Sequence, residues 1–156
     1  MRITLLILGS LFLLAGCGGK ADAGNAAAAG GTASPADALT PFEMQNGIGP
    51  VTTAITTGPV DETMAEAGEK TFELKCSGCH KLDERYVGPP LRDVTVRRTP
   101  TYVMNMILNP DGMYARHPEA RALLAQYATQ MPNLHLTQDE ARAIVEYFRE
   151  KAADKD

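Results

Sequence analysis

Five consecutive residues, Cys76-Ser77-Gly78-Cys79-His80, constrain this chain more than any other feature of its sequence. They read C-x-x-C-H, the attachment pattern of a c-type haem. Two thiols three positions apart on one helical turn can each form a thioether to a haem vinyl group. The next residue then points its imidazole at the iron from the same side. Histidine is a common proximal ligand of haem iron, and the group on the opposite face decides what the haem does. The functional question therefore becomes which residue faces His80.

Other chemistries share the cysteine spacing. A redox dithiol of the thioredoxin kind uses C-x-x-C, but it belongs next to a βαβ pattern, and the flanks here read as helical. A structural zinc site needs four ligands. There is no second cysteine pair, and His117 and His135 do not have the H-x₃₋₅-H spacing. A plain disulfide between Cys76 and Cys79 is the remaining reading.

The N-terminus reads as an export signal. Arg2 is followed by an almost unbroken apolar run from Ile3 to Leu14, too short and wrongly flanked for a spanning helix. It ends in Leu14-Ala15-Gly16-Cys17, which resembles a bacterial lipobox. The expectation is a signal peptide over residues 1–16, cleavage before Cys17, and a diacylglycerol on that thiol. Several acyl chains on one residue anchor stably where a single chain is marginal. An ordinary cleavage site beside an uninvolved Cys17 is the plainer alternative. The chain carries a formal net charge of −4. Loss of Arg2 makes the mature chain more acidic still, which argues against nucleic acid as a partner.

From Gly18 to about Pro59 the chain is low in complexity, with Ala26-Ala27-Ala28-Ala29-Gly30-Gly31 in its first third. Such a composition buries little and reads as a flexible tether; ~40 such residues span roughly 35 Å. Phe42, Met44, Ile48, Val51 and Ile55 are scattered between Pro41 and Val60, so this stretch either packs on the domain or wraps it. The domain boundaries on this reading are 1–16, 17–60 for the lipidated Cys17 and linker, and 61–156 for the globular part. The last is small, but a haem supplies extra apolar core.

Four helices are expected. The first is Glu62 to Lys75, with Asp61 as N-cap. The second is Pro100 to Leu108, with Thr99 as N-cap and a turn at Asn109-Pro110-Asp111-Gly112. The third is Pro118 to about Thr129. The fourth is Gln138 to about Lys151, opened by a Thr137/Glu140 capping box and striped with Ala141, Ile144, Val145, Tyr147 and Phe148. Nothing resembles a run of strands or an internal repeat, so the fold class is all-α.

On these residues the chain resembles the class I c-type cytochromes: Cys76-x-x-Cys79-His80, Gly68 and Phe72 in the first helix, and Tyr147 in the last. The resemblance covers nearly the whole globular part and implies about four helices packed around one haem c, held through Cys76 and Cys79. Gly88-Pro89-Pro90-Leu91 resembles the family's Gly-Pro-x-Leu segment. By that match the Pro89 carbonyl orients His80 and Leu91 packs on the haem face; a fixed far nitrogen sets ring orientation and ligand basicity.

Gln130-Met131-Pro132-Asn133 resembles the family's distal-ligand loop, which makes Met131 the partner of His80 on the iron. Met113, His117 and His135 are the competitors, while Met104 and Met106 read as helix core. A Met/His pair raises the haem potential. It also fills both axial positions, which favours electron transfer over oxygen chemistry. The implied function is a single-electron carrier of a respiratory chain, not an enzyme. Its partners are membrane-bound or periplasmic redox proteins, such as a quinol-oxidising donor and a terminal oxidase or reductase, and the lipid membrane through Cys17.

The stretch Arg92 to Glu119 is longer than the smallest class members need. It resembles small lipoprotein cytochromes of nitrous-oxide-respiring bacteria, which would make a nitrous oxide reductase one acceptor. The competing function is a haem enzyme or gas sensor with an open sixth site; a redox-inert module and a subunit of a larger complex are further readings. Between Lys81 and Arg98 five basic residues stand against three acids. This is either an ordinary solvated surface, a weakly positive collar for an acidic partner, or, through Arg92, Arg97 or Arg98, a seat for the haem propionates.

Overall fold

The computed structural model describes residues 38–154. The expected signal segment, Cys17 and the linker up to residue 37 lie outside the described residues. Among the described residues all regular structure is helical: α1 (Pro41–Asn46), α2 (Glu62–Lys75), α3 (Val94–Arg97), α4 (Pro100–Leu108), α5 (Pro110–Arg116), α6 (Pro118–Tyr127) and α7 (Gln138–Ala153). None of them is long and apolar enough to cross a membrane.

The frame is the pair α2 and α7. Asp61 starts α2 by accepting the Met64 N–H at 2.9 Å, and Ala65, Gly68 and Phe72 form its buried face. Thr137 and Glu140 cap α7 reciprocally, and its stripe of Ala141, Ile144, Val145 and Phe148 is buried. Gly68 sits where the helices meet: a methyl group there would collide with the Ala143 backbone carbonyl. Only a residue without a side chain permits this approach. Phe72 fills the adjacent space, 5.4 Å from the Tyr147 ring and 5.6 Å, edge-on, from Phe148. Each such aromatic pair contributes about 0.5–1.5 kcal/mol beyond burial.

Glu146, 1% exposed, ties α7 to the chain that precedes α2. It pairs with Arg142 and Arg149 and accepts the Asp61 N–H at 3.3 Å. Arg149 also donates to the Gly58 carbonyl at 2.5 Å. A buried carboxylate is tolerable only with such partners.

Residues 41–60 are not linker. Asn105 on α4, fully buried, accepts the Val51 N–H and donates to the Asn46 and Val51 carbonyls, all at 3.0 Å. Thr101 accepts the Ile55 N–H at 2.9 Å. A chain bound through its own backbone to buried side chains belongs to the folded body. This corrects the boundary at Asp61 and decides the open question in favour of packing.

The four expected helices are present, α6 ending at Tyr127 and α7 running to Ala153. Three more were not foreseen. Asn109-Pro110-Asp111-Gly112 ends α4, as read, but it also starts α5: Asn109 accepts the Gly112 N–H at 3.3 Å and Pro110 takes the first helical position. Turn residues and N-cap residues are chemically the same set. The helices α1 and α3 have 6 and 4 residues, too short for a periodic stripe to show.

Candidate functional site

The pentapeptide leaves the end of α2 as one tight turn. Cys76 donates to Phe72, and Cys79 and His80 both donate to the Cys76 carbonyl, at 3.0 and 2.9 Å. Both thiols and the imidazole therefore issue from a single turn. His80 Nδ1 lies 3.0 Å from the Pro89 carbonyl, to which it donates. That bond fixes the tautomer and leaves the Nε2 lone pair unengaged for a metal. Burial holds the His80 pKa below its usual value, opposed by the Pro89 bond, so the ring is neutral, as a ligand must be. Gly88 gives the ring its room: a methyl group at that position would strike the imidazole.

Burial, and secondarily the neighbouring Cys79, push the Cys76 thiol up to about 11. Redox-active C-x-x-C thiols are shifted the other way, which counts against the dithiol reading. Among the described residues no cluster of three or more His, Cys, Asp or Glu is placed to hold a metal.

These groups border a cavity of about 320 Å³. Its lining includes Cys76, Cys79, His80, Pro89, Leu91, Val103, Ile107, Tyr114, Tyr127, Met131, Leu134, Ile144 and Phe148. Pro89, Leu91 and Met131 thus meet His80 in one predominantly apolar space. The competitors of Met131 lie elsewhere. Met113 is fully buried against Tyr102 and Ala120 and accepts the Ile48 N–H at 3.0 Å through its sulfur. His117 is fully buried with Nε2 3.2 Å from the Met44 carbonyl. His135 is exposed. None of the three lines the cavity. Met104 is core at 2% exposure, as read, whereas Met106 borders the cavity.

Sequence reasoning missed Tyr102. Its hydroxyl is buried and has no hydrogen-bond partner within the chain, its ring borders the cavity, and the Arg98 guanidinium lies 5.2 Å from its centroid. Burial pushes the phenol up to about 12. An unpaired buried hydroxyl is costly, and on a lining that also carries Arg97 and Arg98 it suits a guest with acidic oxygen substituents. Nothing in the sequence marks one tyrosine in an apolar helix for this position.

The basic stretch is largely paired. Arg92 binds Asp83 at 2.5 Å, Arg98 binds Glu119 at 2.8 Å, and Arg97 donates to the Pro90 carbonyl at 3.0 Å. Lys81 and Arg85 lie over the rings of Tyr86 and Tyr127.

An apolar cavity lined by two thiols and a neutral imidazole from one turn, by a thioether and by a tyrosine with an orphaned hydroxyl fits one guest. The fold and site define an all-helical protein built to carry a covalent haem. Comparison with known proteins agrees. The cytochrome c family model matches residues 65–151, and the chain belongs to that family. Its haem c is bound covalently through Cys76 and Cys79. Cytochrome c from Rhodothermus marinus is 44% identical, covering 74% of this chain and 99% of its own, with a TM-score of 0.69. An engineered form of that protein bound to a carbene intermediate matches with 44% identity over 73% of this chain and 99% of its own, at a TM-score of 0.66. No curated protein sequence matches the chain.

Proposed function

We propose that this chain is a lipid-anchored, exported electron carrier of a respiratory chain, with His80 and Met131 as the axial pair of its haem. The observation that carries the reading is the meeting of an oriented His80 and of Met131 in a single apolar cavity. The bound haem supplies one-electron exchange between ferric and ferrous iron. His80, held by Pro89, would supply one iron ligand and Met131 the other. The apolar lining keeps water from the cavity. Leu91, on the same lining, packs on the haem face. Tyr102, Arg97 and Arg98 take the acidic substituents of the macrocycle.

Cys17 anchors the chain on the extracytoplasmic side of the membrane. The linker after it keeps the carrier near membrane-bound partners, raising their effective concentration. Donor and acceptor are a quinol-oxidising complex and a terminal oxidase or reductase; the likeness of residues 92–119 to small lipoprotein cytochromes supports a nitrous oxide reductase as one acceptor.

The test is fractionation and redox cycling of the full chain in a host that matures haem c. The expected result is haem in the membrane fraction, reduced by quinol and reoxidised by an acceptor, with Cys17→Ser releasing it to the soluble envelope fraction. Haem that stays in the membrane fraction in Cys17→Ser would overturn the anchor, and haem that quinol-fed membranes cannot reduce would overturn the carrier.

A further inference from the structure

We propose that Tyr114 is the positioning residue for Met131, and that α5 serves as the buttress of the loop that carries it. The inference rests on the reading of Met131 as the axial ligand.

The loop joins the end of α6 to the Thr137 cap of α7. Two non-glycine residues near its ends, Ala128 and His135, are left-handed, each at φ 53°. Such a conformation costs about 1–2 kcal/mol per residue, and it persists only where surroundings hold it. Within the loop the His135 N–H donates to Asn133 Oδ1 at 2.9 Å, and the contacts from outside it come from α5 and the end of α4. Tyr114 on α5 accepts the Met131 N–H at 3.0 Å. Asp111, also on α5, accepts from the Gln130 side chain at 2.9 Å. Asn133 donates to the Leu108 carbonyl at 3.4 Å, at the junction just before α5.

Of these ties only that of Tyr114 reaches the ligand residue itself. Tyr114 and Met131 both line the cavity. Without the phenol, the Met131 N–H loses its partner and the loop loses one tether. The population in which Met131 has left its position then rises. An external ligand binds only to that population, so its observed affinity scales with the open fraction. One hydrogen bond of ordinary net strength corresponds to roughly a two- to tenfold change.

The test is imidazole binding to the ferric, haem-loaded full chain, for wild type, Tyr114→Phe and Asp111→Ala. It is read with the sulfur-to-iron absorption band and the thermal midpoint. The expected result is a band in the wild type, imidazole bound roughly two- to tenfold tighter by Tyr114→Phe, and a smaller shift in the same direction for Asp111→Ala. If the wild type lacks the band, the axial-ligand reading itself has failed and the inference falls with it. If the band is present and the variants bind imidazole as the wild type does, Tyr114 is structural only and the inference is overturned while the ligand reading stands, whatever happens to the midpoint. Should Tyr114→Phe fail to load haem, Asp111→Ala decides: tighter imidazole supports the buttress, unchanged affinity overturns it.

Discussion

The two sides of the haem cavity are built by opposite means. On the proximal side everything is local. Both thiols and His80 come from one turn at the end of α2, and the orienting carbonyl of Pro89 is nine residues away. The wall that carries Met131 is an irregular loop with left-handed residues near both ends, and its ties reach back 17 to 25 residues, to the end of α4 and to α5. The lesson is that a side fixed by neighbouring residues is rigid by construction. A side fixed by distant tethers is only as firm as those tethers. The site should therefore open from the Met131 side.

The largest effect is expected from crowding the rigid side. Gly88→Val drives a side chain into the His80 ring, and such overpacking costs about 1–3 kcal/mol. Thermal unfolding of the haem-loaded protein should show that loss, together with a perturbed ferrous spectrum. An unchanged spectrum would mean that His80 has more room than its contact with Gly88 allows.

The same substitution should have opposite signs on the two sides. Ala128→Gly relieves a left-handed alanine and should be neutral or stabilising by up to about 1 kcal/mol. Ala67→Gly, on the exposed face of the helix leading to the cysteines, should destabilise by about 1 kcal/mol. Paired denaturant titrations check this. Two losses of equal size would remove the strain assigned to the distal loop.

Acid gives the smallest effect. Bonds from the Thr137 backbone and hydroxyl hold the Glu140 carboxyl below its ordinary value of 4.5. Its contribution to α7 is therefore complete above pH 4.5 and fades as the pH falls through the lowered value. The thermal midpoint of Glu140→Gln should lie slightly below the wild type near neutrality and converge with it in acid. A gap that persists in acid would assign the cap's value to something other than this carboxylate.

The division between the two sides also explains what the sequence made legible. C-x-x-C-H, the Pro89 segment, and the α2 and α7 stripes with their Asp61 and Thr137 caps are short-range patterns. Each constrains geometry within a turn or two, and the structure shows the helices, their caps and the His80–Pro89 bond. Residues 41–60 were opaque because their partners, Asn105 and Thr101, lie some fifty residues downstream. The helix α5 was hidden because Asn-Pro-Asp-Gly serves a turn and an N-cap equally well. Tyr102 and Tyr114 carried no local signal at all, since their importance lies in what their hydroxyls meet, or fail to meet, across the fold. Met131 is proposed as a ligand through the likeness of its loop to a known one, not through any property of a methionine followed by a proline, and the structure adds its place on the cavity lining.

The most direct test of the account is the optical spectrum of the haem-loaded protein, oxidised and reduced, for wild type and Met131→Ala. The wild type should show the ferric sulfur-to-iron band and exclude carbon monoxide when reduced, and Met131→Ala should lose the band and bind the gas. A wild type that binds carbon monoxide, or a variant that keeps the band, would contradict the assignment of Met131 and with it the closed, electron-carrying site.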